Sequence, residues 1–269
     1  MIIADKNFKT GKTYIMGILN VTPDSFSDGG THNSLDSALF HTEKMISDGA
    51  DIIDVGGEST RPGYTQISTD EECERILPVI EAINSRFDIP VSVDTYKAEV
   101  AQNAIESGAH LINDIWGLKY DKNMAKVVAK YGVPCCLMHN RTNACYNSFL
   151  DDVICDIKES INIALNHNID KDKIIIDPGI GFAKSYEQNL EITNNLQIFH
   201  SLGYPVLYGA SRKSMIGNAL NLPTEERLEG TLATTAIAVM KGCMFVRVHD
   251  IKENKRVITM TERILYGTN

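Results

Sequence analysis

Short apolar runs alternate with longer amphipathic ones along the chain. Eight runs read as strands: TYIMGIL (13–19), DIIDV (51–55), VSV (91–93), HLIN (110–113), PCCLM (134–138), KIII (173–176), PVLY (205–208) and MFVRV (244–248). They lack a regular polar alternation, as strands covered on both faces do. Between them lie segments with helical period. SLDSALFHTEKMISDGA is expected to open on Ser34 as its N-cap, and TDEECERILPVIEAIN on Thr69, with acids in its first turn. KAEVAQNAIESGA, NMAKVVAKYG, SFLDDVICDIKESINIALNH, YEQNLEITNNLQIFHSLG, ERLEGTLATTAIAVMKG and a last helix in IKENKRVITMTERIL complete the series. Strands alternating with helices of this length predict βαβ units and a parallel sheet. Eight units match an α/β (β/α)8 TIM barrel forming a single domain over residues 1–269. A doubly wound open sheet is the rival that strand count alone leaves open.

Three stretches share a plan. Gly49 precedes DIID, Gly108-Ala109 precedes HLIN, and Gly242 precedes CMFVR. Each glycine suits a left-handed helix C-cap before a buried strand. That accounts for the glycines and not for the polar residue five positions later.

Composition narrows the class. The chain has 269 residues, 43% hydrophobic and 23% charged, enough to bury a large core without staples. A net charge of −9 argues against a nucleic-acid or membrane-surface partner, so any positive charge for an anionic ligand must be local. No apolar run approaches the roughly 18 residues of a membrane span. MIIADKNFKTGK lacks the apolar core of a signal peptide. The six cysteines contain no CxxC, and a cytoplasmic, reduced chain with small core cysteines is expected.

The chemistry gathers where strands end. Asn20, Asp54, Asp94, Asn113 with Asp114, Met138 with His139, Asp177, Ser211 with Lys213, and Arg247 with His249 stand at or just after successive strands. The C-terminal ends of parallel strands form the active face of such barrels. One polar residue there is as easily structural as functional; seven or eight together point to a site. Asp94, Asn113 and Asp177 suit a flat heterocycle with several N–H donors on one edge. Lys213, Arg247 and His249 suit phosphate oxygens. Asn20 and the loop VTPDSFSDGG, with Asp24 and Asp28, could hold a divalent cation beside them.

MGILNVTPDSFSDGG (16–30), DVGGESTRPG (54–63), VSVDT (91–95), INDIWG (112–117), DPGIGFAKS (177–185), YGASRKSMIG (208–217) and VRVHD (246–250) together resemble the dihydropteroate synthase family, in the family's order across nearly the whole chain. The resemblance implies a pterin-binding (β/α)8 barrel. Such an enzyme joins a 6-hydroxymethyl-7,8-dihydropterin diphosphate to 4-aminobenzoate, releasing diphosphate and giving 7,8-dihydropteroate for folate biosynthesis. It implies a pterin set of Asp94, Asn113, Asp177, Lys213 and Met138. It implies a diphosphate set of Asn20, Thr60, Arg61, Arg247 and His249, with Asn20 also touching Mg2+, and Lys213, Arg247 and His249 as catalytic groups. Phe26, Pro62, Phe182, Gly209 and Ser211 are the positions that border 4-aminobenzoate in the family. A homodimer with no nucleic-acid or membrane partner is implied too. The chain departs from the family at MHNRTNACY (138–146), where many members read Met-His-Met-Gln-Gly. Three other readings stay open at this level: a methyltransferase using methyltetrahydrofolate, an aldolase with Lys213 as a Schiff-base lysine, and a non-catalytic pterin-binding protein.

Overall fold

The computed structural model describes residues 1–21, 31–58 and 65–267, with side chains except at 31–34. It opens on an antiparallel hairpin, β1 (Ile2–Ile3) and β2 (Lys6–Asn7), that the sequence pattern did not predict. Eight parallel strands follow among the described residues: β3 (Tyr14–Asn20), β4 (Ile52–Gly56), β5 (Val91–Asp94), β6 (Leu111–Asp114), β7 (Cys135–Met138), β8 (Ile174–Asp177), β9 (Leu207–Tyr208) and β10 (Phe245–Val248). From β3 to β8 each strand pairs with the next, and β10 lies between β9 and β3. The ring closes where Ile176 bridges Val206 and its N–H reaches the Pro205 carbonyl at 3.0 Å. That closure excludes the open-sheet rival.

Helices α1 (Thr31–Asp48), α2 (Thr69–Arg86), α3 (Ala98–Glu106), α4 (Met124–Tyr131), α5 (Phe149–Asn166), α6 (Tyr186–Asn194), α7 (Ser214–Leu220), α8 (Leu228–Met240) and α9 (Ile251–Tyr266) complete the units. Four details differ from the sequence reading. Helix α1 begins at Thr31, so Ser34 lies inside it rather than capping it. Ser68 caps α2, its Oγ accepting the Glu71 N–H at 3.1 Å, and Thr69 is the first helical residue. The single helix expected over 186–203 is α6 followed by a 3-10 segment, Leu196–Leu202. Helix α7 was not expected; at seven residues it is too short to show a clear period. The expected glycine caps hold, with φ of +104° at Gly49, +103° at Gly108 and +78° at Gly242.

Alternation along the strands builds two cores. Outward residues such as Ile15, Ile53, Val93, Ile112, Leu137, Ile176 and Val246 pack with the helices. Inward residues Met16, Ile52, Leu111, Cys136, Ile175, Leu207 and Phe245 fill the barrel, and Ile3 and Phe8 from the hairpin region join them. Phe8 meets Tyr14 edge-on at 4.8 Å and Phe245 at 5.6 Å, an aromatic plug at the N-terminal end of the strands.

Candidate active site

Two residues beyond the inward apolar position of most strands the inner face becomes polar or bare, or at Met138 joins an apolar wall. Ile52 is followed by Asp54, Leu111 by Asn113, Cys136 by Met138, Ile175 by Asp177, Leu207 by Gly209 and Phe245 by Arg247. On β5 the change begins lower, with Ser92 beneath Asp94. Asn20, Asp94 and Asp177 were expected just past their strands. They are instead the last strand residues, because their backbones still pair: Asn20 with Gly56, Gly56 with Asp94, Asp94 with Asn113, and Met138 with Asp177. Pairing to the end holds these side chains inward rather than on a free loop.

Arg247 is the hub. Its Nε donates to Asp54 Oδ2 at 2.5 Å and its Nη2 to Asp94 Oδ2 at 2.7 Å. Asn113 Nδ2 donates to the same Asp54 oxygen at 3.2 Å. Asp54 is fully buried, and Asp94 and Asn113 are nearly so. Among the described residues, Asp54 Oδ1 and Asp94 Oδ1 are buried without a hydrogen-bond partner, as is Ser92 Oγ. Buried polar atoms are ordinarily paired, so orphaned acceptors at a barrel mouth call for a donor beyond the described residues, as a ligand can supply.

Asp177 stands across the mouth. Its Oδ1 accepts the Gly179 N–H at 2.7 Å. Gly209 separates it from Arg247: a Cβ there would sit 3.8 Å from Asp177 Oδ2 and 3.7 Å from Arg247 Cβ. Lys213 Nζ donates to the Ile180 carbonyl at 2.5 Å and lies 4.8 Å from the centre of the Phe182 ring. Burial pushes the carboxyls of Asp94 and Asp177 up, opposed by Arg247 at Asp94 and by Lys213 at Asp177. Burial lowers the Lys213 ammonium to about 8, with Asp177 and Asp94 acting the other way. Each group is thus partly stripped of water yet held in the field of opposite charges.

Beside these groups, Met138 packs with Tyr96 and Ile115, and Trp116 and Phe182 lean on that cluster, an apolar wall next to the acids. Ser211 Oγ accepts the His249 backbone N–H at 3.2 Å and lies 3.0 Å from His249 Nδ1. Asn20 is exposed at the top of β3, close to Gly56 and through it to Asp94. Thr60, Arg61, Pro62, Phe26, Asp24 and Asp28 lie outside the described residues.

The structure brings Asp94, Asn113, Asp177, Lys213, Met138 and Arg247 to one mouth. The division into a heterocycle end and an anion end is less sharp than the sequence reading had it, since Arg247, assigned to diphosphate, is bonded to the acids. Asp54 was noticed at a strand end but given no role; its partner Arg247 stands 193 residues away. Lys184 was missed, because nothing in GFAKS sets it apart from a solvated lysine.

For a divalent cation, the described residues offer no group of three His, Cys, Asp or Glu side chains. They offer the Asn20 carboxamide at the open rim. That fits an ion held mainly by ligand oxygens and water, as Mg2+ commonly is on phosphates, and not one caged by the protein.

Residues 16–249 match the family model described as pterin binding enzyme. The chain is 62% identical to the dihydropteroate synthase of Clostridium beijerinckii, covering 98% of this chain and 99% of that one. It is 56% identical to the dihydropteroate synthase of Bacillus subtilis, over 94% of this chain and 89% of that one. Its structure is similar to that of a dihydropteroate synthase from Clostridium difficile crystallised in the presence of pteroic acid. There the TM-score is 0.94 at 48% identity, covering 97% of this chain and 100% of the other.

Proposed function

The chain belongs to the dihydropteroate synthases, a family of pterin-binding enzymes, and on that premise we propose how its own residues perform the condensation. The observation that carries the assignment is the buried oxygen of Asp94 without a donor, beside a carboxylate, a carboxamide and an apolar wall. The amino and ring N–H groups of a dihydropterin are the donors this edge lacks. Asp94, Asn113 and Asp177 grip that edge, Lys213 donates to ring acceptors, and Met138 covers a face.

The diphosphate lies toward Arg247, His249 and Asn20. With Ser211 donating its hydroxyl hydrogen to Nδ1, the His249 ring carries hydrogen on Nε2 and offers it to a phosphate oxygen. The bond between the pterin methylene carbon and the diphosphate oxygen breaks with its electron pair leaving on oxygen. The aromatic amine of 4-aminobenzoate supplies the lone pair for the new C–N bond and then loses a proton. Arg247 and His249 neutralise charge gathering on the leaving group. Ionised Asp94 and Asp177 favour positive charge on the pterin as that group departs. A Mg2+ ion at Asn20 would add Lewis-acid stabilisation of the same oxygens. Phe182, Gly209 and Ser211 are assigned to the 4-aminobenzoate side, next to Lys213.

Among the described residues no helix is long and apolar enough to cross a membrane; a cytoplasmic location is part of the proposed reading. Exposed Ile237 and Met240 on α8 and Met260 and Ile264 on α9 support a homodimer through these packed helices. The decisive test mixes purified protein with the dihydropterin diphosphate and 4-aminobenzoate and measures diphosphate and dihydropteroate. Release of both in equal amounts is expected; none above the uncatalysed background would sink the reading.

A further inference from the structure

Behind Asp177 lies a second polar assembly that the reaction does not touch directly. Lys184 Nζ is 2.8 Å from His139 Nδ1, 2.8 Å from the Gly179 carbonyl and 2.9 Å from the Phe182 carbonyl. Three acceptors match the three N–H bonds of an ammonium, so the charged form alone satisfies the site. With Nδ1 accepting, the imidazole of His139 is neutral and its Nε2–H donates to Asp156 Oδ2 at 2.9 Å. Asp156 Oδ2 also takes Arg141 Nε at 2.5 Å. The Arg141 guanidinium lies 4.4 Å from the centre of the Tyr146 ring, and the Tyr146 hydroxyl donates to the Ala183 carbonyl at 2.7 Å. Ala183 is the neighbour of Lys184 and is held at a left-handed φ of +46°. The circuit therefore returns to where it began. Arg141 and Tyr146 come from the loop between β7 and α5.

What the circuit encloses is the turn after β8. His139 N–H bonds the Asp177 carbonyl at 2.8 Å. Gly179 has φ of +72°, and a Cβ there would lie 2.0 Å from the His139 carbonyl oxygen, so the two loops touch through bare backbone. The same turn supplies the Gly179 N–H that orients Asp177, the Ile180 carbonyl that anchors Lys213, and the Phe182 ring over that lysine.

We propose that Lys184, braced by His139, is a positioning residue for the pterin end of the site: while charged, it fixes the turn that aims Asp177 and Lys213. This rests on the functional reading above. The groups facing it are His139 at the end of β7, Asp177 on β8, Lys213 after β9, Asp156 on α5 and Arg141 in the loop before α5. Burial lowers its ammonium to about 7, with Lys213 and Arg141 acting in the same direction and Asp177 and Asp156 against it. The burial-lowered ammonium of Lys213, at about 8, lies above it. Loss of its proton at high pH takes one of the three hydrogen bonds with it.

The test compares the parent, Lys184→Met and Lys184→Arg by calorimetric binding of 6-hydroxymethylpterin and by steady-state kinetics over pH. Lys184→Met should weaken pterin binding and raise KM for the dihydropterin diphosphate by about 10- to 100-fold, with a smaller change in kcat. Lys184→Arg, charged at every working pH, should recover part of that loss and move the alkaline fall of kcat/KM to higher pH. If Lys184 only held the fold, folded Lys184→Met would bind pterin within about twofold of the parent, and that result overturns the proposal. An unmoved alkaline limb in Lys184→Arg overturns its charge requirement. A parent that binds pterin without releasing diphosphate overturns the catalytic reading alone, and the binding comparison still decides Lys184.

Discussion

The two ends of the barrel are built from the same strands and behave oppositely. At the N-terminal end Phe8, Tyr14 and Phe245 close ring against ring, and Ile3 from the hairpin is fully buried beside them. Two residues further along each strand, about 7 Å away, the inward positions carry Asp54, Asp94, Asn113, Asp177 and Arg247. The first end is satisfied by its own chain. The second holds carboxylate oxygens with no partner among the described residues and ionisable groups shifted by burial. The plug is complete without a ligand, and the mouth is left incomplete so that a ligand can finish it. The difference teaches that here stability and function separate along a strand, not between domains.

If so, damage to each end should show in different measurements. Phe245→Ala empties the centre of the plug and should cost about 3–5 kcal/mol of unfolding free energy by chemical denaturation, with KM for the pterin substrate unchanged in the folded fraction. A matching rise in KM would mean the ends are coupled. Arg247→Met should lower kcat/KM by about 10²–10³-fold, on the scale of losing a preorganised charge partner. It should also weaken binding of a bare pterin, because Asp54 and Asp94 lose their shared cation; unchanged pterin binding would return Arg247 to the diphosphate alone. Asp177→Asn replaces an acceptor with a donor and should cost about 1.5–3 kcal/mol of pterin affinity by calorimetry, with the denaturation midpoint nearly unmoved. Ile175→Val, one inward position below Asp177, should cost about 0.5–1.5 kcal/mol of stability and leave kinetics alone. A kinetic defect there would show that the boundary between the two ends lies lower than drawn.

Much of this was legible before any coordinates. Apolar runs marked each barrel strand, and the polar residue closing a run marked Asp94, Asn113 and Asp177, because polar groups gathered at the ends of strands buried on both faces need partners. The hairpin escaped because two-residue strands have no period to detect. Ser34 misled because a residue suited to capping also occurs inside a first turn, and caps are weak local preferences. Asp54 was visible, but its meaning depends on Arg247, which no local pattern ties to it. Lys184 was invisible because the acceptor that sets it apart, His139 Nδ1, stands 45 residues away and joins two carbonyls of its own loop only in the folded chain.

The sequence by itself determined the order of the eight barrel strands and the kinds of side chain at their ends. Those follow from backbone sterics and a two-residue period, which act between neighbours. Only the tertiary structure decided that the ring closes between Ile176 and Val206, that Arg247 lies between two acids, and that Lys184 stands behind Asp177. Charge pairing and desolvation depend on distance in space, and residues far apart in sequence acquire that distance only when the barrel closes.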